Sequence, residues 1–125
     1  NHLAIMTNAA ISLNGSGSLI DLSTGSVPLF GGTNAAKSLG GRVFMYAGDV
    51  DRNGLLRYAG GGNDRDLILS AIGGSVPTST VPGYLVEDVN LDGVVRYMGS
   101  GNDRDPILSN IGGTVPTATR VAAVP

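Results

Sequence analysis

Apolar residues recur at every second position near the start of the chain. Leu3, Ile5, Thr7, Ala9, Ile11 and Leu13 share one face, with His2, Asn8, Ser12 and Asn14 on the other. Period two predicts a β-strand over 3–13, or two strands joined by a kink near Asn8. "NGSGS", Asn14 to Ser18, reads as a turn, and Leu19 to Leu22 as a short return strand. "TGSVPLFGGTN" follows; Pro28 and Gly31-Gly32 suit it to an edge or a loop. Gly41 to Tyr46 ("GRVFMY") is a further predicted strand.

The pattern then changes, and one phrase is written twice. "GDVDRNGLLRYAGGGNDRDLILSAIGG" (48–74) returns 39 positions later as "EDVNLDGVVRYMGSGNDRDPILSNIGG" (87–113). Each copy holds an Asp/Asn/Gly loop, a glycine-rich insert ending in "NDRD", and a short apolar run closed by "IGG". Asp103 or Asp105 is placed to cap a helix, Pro106 suits its first turn, and Gly112-Gly113 stop it. The helix has barely two turns, with Ile107, Leu108 and Ile111 on its buried side. Residues 75–86 link the copies, and Gly83 to Glu87 is a predicted strand equivalent to Gly41–Tyr46. The tail, 114–125, is extended, since Pro116, Pro125 and its β-branched residues disfavour helix. The expected fold is mainly β with two short helices. A small β-sheet or sandwich (1–47) precedes tandem loop–helix repeats (48–113) and the tail, all in one compact domain.

Composition narrows the function. The chain has 125 residues with 42% apolar content, enough for a modest core, and no apolar run long enough to span a membrane. It starts at Asn1 with no signal-like segment, which reads as a processed or excised end. Eight scattered Lys and Arg within a net charge of −2 give no basic stripe for nucleic acid. Without cysteine there is neither a disulfide nor a thiolate metal site, and the single histidine, His2, read as a strand surface residue, supports neither zinc nor a Ser-His-Asp set. Nine of the ten carboxylates lie between Asp49 and Asp105; Asp21 is the exception.

Within that window, Asp88, Asn90, Asp92, Gly93 and Val94 fall at positions 1, 3, 5, 6 and 7 of a loop. Asp49, Asp51, Asn53, Gly54 and Leu55 fill the same places in the first copy. This is the front half of an EF-hand-type calcium loop. Oxygens at alternate positions of a tightly wound loop converge on one point, and glycine at position 6 permits the turn. The backbone carbonyl serves at position 7, so Leu55 and Val94 can be apolar. Position 12, where a carboxylate is expected, holds Gly60 or Gly99. Closure is expected from "NDRD": Asp66 and Asp105 precede the exit helix, with Asp64 and Asp103 as rivals. The copies exchange Asp and Asn between positions 3 and 5, which keeps the carboxylate count. Arg57, Arg65, Arg96 and Arg104 are expected to screen the acids or clamp carbonyls, and Tyr58 and Tyr97 to lie over the core. "NGS" at Asn14 is a lone glycosylation sequon.

The paired "DVNxDG…IxxIGG" units resemble dockerin-type repeats, the duplicated calcium loop-helix modules of secreted bacterial proteins. With "RYxGxGNDRDPIL" and "NHLAIMT", the chain looks like the C-terminal module of secreted and cell-surface proteins of Gram-negative gliding bacteria. The resemblance implies two Ca2+ ions per chain, export to the extracellular space or cell surface, and a non-catalytic role. Implied ligands are Asp49, Asp51, Asn53 and the Leu55 carbonyl, then Asp88, Asn90, Asp92 and the Val94 carbonyl. The delayed closure and short helix depart from the dockerin pattern, in which a longer helix carries the cohesin-recognition residues.

Two roles follow. One is a structural module that self-assembles into a homo-oligomer or pilus-like filament. The tail, through Arg120, Val121 and Val124, would add as a strand to an edge presented by Leu3, Ile5, Ile11 and Leu13. The alternative is an adaptor or adhesin that binds a surface protein or glycan.

Overall fold

The computed structural model describes residues 1–12, 15 and 19–125, and divides the chain into two units. One comprises Ala4–Tyr46 with Ala122–Pro125, the other Asn1–Leu3 with Ala47–Val121. The boundaries expected from the sequence stand at 47 and 113. The first three residues and most of the tail belong with the repeats.

In the 4–46 unit the alternation survives only briefly. Ile5 and Thr7 are half-buried and Met6 is exposed, but the chain bends at Asn8 and Ala9. Thr7 bridges Leu29 antiparallel and Ile5 bridges Ala123 in parallel, with Phe30 N–H on the Met6 carbonyl at 2.8 Å. No continuous strand forms over 3–12. The partner segment carries Pro28, which lacks an N–H, and runs into Gly31-Gly32, so the ladder has few rungs. Leu13 and Asn14, with most of the expected turn, lie outside the described residues. Leu19–Leu22 is not a strand. Asp21 Oδ1 accepts from the Ser23 N–H (2.9 Å) and hydroxyl (2.7 Å), turning the chain there.

The Gly41–Tyr46 expectation is met by a strand with an unforeseen partner. β1 (Lys37–Leu39) pairs antiparallel with β2 (Arg42–Phe44). Gly40 and Gly41 join them with φ of 58° and 74°, the type I′ geometry that matches strand twist.

The repeat unit has β3 (Leu55–Arg57), α1 (Asp64–Ala71), β4 (Thr80–Pro82), β5 (Val94–Arg96), α2 (Arg104–Asn110) and β6 (Thr119–Val121). The strand expected at 83–87 lies instead at β4, which pairs with β5. β6 pairs with β3, with Leu55 opposite Val121 and Leu56 opposite Arg120. The named strands thus form three two-stranded ladders rather than a sandwich, and among the described residues the fold is mainly β with two short α-helices.

This pairing engages the backbone of the tail residues expected to assemble, while Val121 stays 68% exposed. Thr119–Val121 already has a partner strand in its own chain, and Arg120 Nε donates to the Asn110 carbonyl at 2.7 Å. Leu3 is only 1% exposed, because Asn1–Leu3 docks onto the repeats. Ile11 and Val124 are exposed.

The repeats share one core of Val50, Ile68, Ile72, Val89, Val95 and Ile107, with Tyr58 and Tyr97 packed against it. Both helices end the same way. Gly74 and Gly113 N–H groups reach back to the Leu69 (2.9 Å) and Leu108 (2.8 Å) carbonyls, while Gly73 and Gly112 reach Ser70 and Ser109. This Schellman geometry satisfies the last helical carbonyls. Asn1 holds the entrance to both loops. Its carbonyl accepts from Gly48 and Asp49 N–H (2.7 and 3.1 Å), and its amide donates to Val86 and Asp88 carbonyls (2.9 and 2.8 Å).

Candidate metal centre

Each loop is wound around a buried carboxylate supplied from the start of its exit helix. Asp64 Oδ1 accepts from the N–H of Val50 (2.8 Å) and Asp51 (3.4 Å), and its Oδ2 from Arg57 N–H (2.8 Å). In the second copy Asp103 takes the N–H of Val89 (2.8 Å), Asn90 (3.2 Å) and Arg96 (2.7 Å). Both acids are fully buried. Burial pushes their carboxyls above the ordinary range, against the pull of the three N–H bonds; Asp51 and Asp88 respectively add to the rise.

Position 1 braces the turn. Asp49 Oδ2 accepts from Gly54 N–H (3.1 Å) and Asp88 Oδ2 from Gly93 N–H (2.9 Å). Gly54 and Gly93 have φ of 80° and 84°, as position 6 of such a loop requires. Arg52 and Leu91, at position 4, both have φ of 61°, an uncommon conformation for residues with side chains. Asn53 Oδ1 and Asp92 Oδ1 take the N–H of Leu55 (2.8 Å) and Val94 (2.9 Å), the position-7 residues that open β3 and β5.

Asp66 and Asp105, the first choice for loop closure, do other work. Asn63 Oδ1 accepts from Asp66 N–H (2.9 Å), and Asn63 Nδ2 donates to Asp66 Oδ2 (2.8 Å). Asn102 and Asp105 repeat this at 3.0 and 2.8 Å. Both aspartates are mostly exposed and face Arg65 and Arg104. The Asn63 hydrogen bond, helped by Arg65, holds Asp66 below the usual carboxylate range. Asp64 and Asp103 therefore face the loops; Asn63 is the N-cap of α1, while Asp103 is the N-cap of α2 but makes no capping bond with its side chain, which Asn102 supplies instead. The signal was present: Asn followed three residues later by Asp has capping-box spacing. Arg65 and Arg104 also lie over the Tyr58 and Tyr97 rings, 5.2 and 5.1 Å from the centroids.

In the first loop, carboxylate oxygens of Asp49, Asp51 and Asp64 lie within 4.8 Å of one another, and this triad can hold a metal ion. Oxygens on opposite sides of a calcium ion stand roughly 5 Å apart, so the spacing fits. Asp49 is 5% exposed, and its Oδ1 is buried without a hydrogen-bond donor. A buried carboxylate oxygen without a donor is costly unless a cation satisfies it.

The second loop has the same frame and a different charge. Asn90 replaces the position-3 acid and donates to the Gly101 carbonyl (2.8 Å). Asp92 Oδ2 meets Arg96 Nη1 at 2.5 Å. Burial works to raise the Asp92 carboxyl, but the Val94 N–H and the Arg96 guanidinium outweigh it and hold it below its usual range. Among the described residues no second triad of acids meets the first loop's spacing.

His2, expected on a strand surface, is half-buried and bridges Ala47; burial and the nearby amino terminus lower its pKa. No helix among the described residues is long and apolar enough to cross a membrane. Comparison with protein-family models, curated proteins and solved structures finds no match to this chain.

Proposed function

We propose that this chain is a non-catalytic, calcium-stabilised structural module of an extracellular or bacterial cell-surface protein, with one Ca2+ in each loop. The observation that carries the reading is the Asp49 Oδ1 oxygen, buried in an acidic triad with no donor. The donors are all oxygens, which suits a hard cation, and alternate residues of a wound loop give the irregular geometry calcium tolerates better than magnesium. The second ion is argued from repetition: Val50/Val89, Gly54/Gly93 and Arg57/Arg96 N–H groups meet equivalent acids.

The metal's role in this reading is stability. Each loop brings carboxylates together at the edge of the shared core, and a cation offsets their repulsion. Calcium bound only to the folded state adds about 2.7 kcal/mol at a hundredfold excess over its dissociation constant. Thermal melting with calcium and with chelator, paired with elemental analysis, tests this. Two calcium ions per chain and a marked fall in Tm on chelation are expected; no bound metal and identical melts would contradict it.

Self-assembly by strand addition is the second part of the proposal. Two-stranded ladders leave edges open, and β1–β2 carries exposed Leu39 and Phe44. The adaptor reading draws on an open cavity of about 510 Å³ in the 4–46 unit, lined by Val27, Pro28, Leu29, Ala36 and Val43 among others. Negative-stain microscopy with calcium present separates them: filaments favour assembly, and uniform particles favour the adaptor.

A further inference from the structure

Exchanging Asp and Asn between positions 3 and 5 keeps the composition of the loops, but it changes what the neighbouring arginine can reach. In the second loop the acid stands at position 5, four residues before Arg96. Asp92 Oδ2 is held by Arg96 Nη1 at 2.5 Å, and Oδ1 by Val94 N–H at 2.9 Å, so both oxygens are engaged. Gly101 lies beside this pair: a Cβ there would stand 3.6 Å from Asp92 Oδ2 and 3.8 Å from Arg96 Nη1. In the first loop, position 5 is Asn53, which offers no charge, and Arg57 Nη1 turns to the Gly61 carbonyl at 2.6 Å. Among the described residues the acid at position 3, Asp51, accepts only from Asn53, and the equivalent glycine, Gly62, has open space around it.

We propose that Arg96 is a latch on the second loop. It occupies an oxygen that calcium would take, so calcium fills the first loop first and enters the second only by displacing the guanidinium from Asp92. The two loops then answer to different calcium concentrations, although their backbones are held alike. Without metal, the second loop keeps an internal counter-ion and the first has none among the described residues. This inference rests on the calcium reading above, and its second support is the donorless Asp49 Oδ1 in the first loop alone.

The test is calorimetric titration of the chelator-stripped full chain with calcium. Two unequal steps are expected. Asp49→Asn should remove the tighter step and Asp88→Asn the weaker. Arg96→Gln should strengthen the weaker step by about tenfold, the effect of one unit charge roughly 6 Å from a divalent ion in water, and leave the tighter step in place. Asn90→Asp combined with Asp92→Asn moves the acid out of reach of Arg96 at constant charge, and should bring the two steps together. Two bound ions with both steps unchanged in Arg96→Gln would overturn the latch and leave the calcium reading standing. If Arg96→Gln does not fold, the double variant decides, and an unchanged weaker step overturns the latch. No calcium uptake by the unaltered chain would overturn both readings.

Discussion

The two repeats share a frame and differ in how it is charged. Their buried acids, Asp64 and Asp103, gather three N–H groups each from positions 39 residues apart. Their caps, glycine turns and stacked arginines also correspond. Against that background one difference stands out: Asp92 is paired with Arg96, and among the described residues Asp51 has no cationic counterpart. Backbone geometry in a duplicated module is thus set by the positions that are alike, and the charge each loop presents by the few that are exchanged.

The largest expected effect tests the shared frame. Asp64→Ala or Asp103→Ala strands three N–H groups, two of which meet the buried acid at 2.7–2.8 Å. Each should cost roughly 2–4 kcal/mol in denaturant unfolding even with chelator present. Each should also remove one calcium from the bound stoichiometry. Asp66→Ala and Asp105→Ala should leave two ions bound, and loss of an ion from either would restore them as closing ligands.

Next is the asymmetry without metal. In chelator, amide hydrogen exchange at Val50 and Gly54 should accelerate about tenfold more than at Val89 and Gly93, since only the second loop keeps a counter-ion. Equal acceleration would remove the difference between the repeats.

Smaller still are the caps, where the repeats should agree. Asn63→Ala and Asn102→Ala should each lower stability by about 1 kcal/mol, read as matched shifts in denaturant midpoint. Unequal shifts would show that the helices are held differently.

Asp21 is the control outside both loops. The Ser23 hydroxyl, then the Ser23 N–H, holds its carboxyl below the ordinary 3.8. A lowered folded pKa gives stabilisation that is present above the unfolded value and is lost as pH falls through the folded one. Acid titration of stability should therefore flatten slightly below about pH 4 in Asp21→Asn, with calcium stoichiometry unchanged.

The repeats were legible because they join local chemistry to register. Asp at position 1, glycine at position 6 and "IGG" after an apolar run each impose a local geometry, and duplication made them stand out. Which of the rival acids turns into the loop is a tertiary matter. Asp66 has the sequence position of a closing ligand, but Asn63 takes the cap, and the helix start turns Asp64 into the loop. The exchange at positions 3 and 5 read as neutral because nothing in the spacing says that Arg96 will lie on Asp92. The 4–46 stretch was less legible. Its alternation is real up to Thr7, but a strand needs a partner, and Pro28 and the glycines after it shorten the one available. The Gly40-Gly41 hairpin was in plain view between Leu39 and Arg42. The tail's pairing with β3 is a contact across more than sixty residues that no local pattern encodes.

The most direct test of unequal loops on one frame is a calcium titration followed by amide NMR of the intact chain. Gly54 and Gly93 N–H groups each lie on the position-1 acid of their loop, so each reports its own site. The account predicts that the Gly54 signal completes its shift at lower calcium than Gly93, and that both move. Coincident titration of the two glycines, or a Gly93 shift that precedes Gly54, would contradict it.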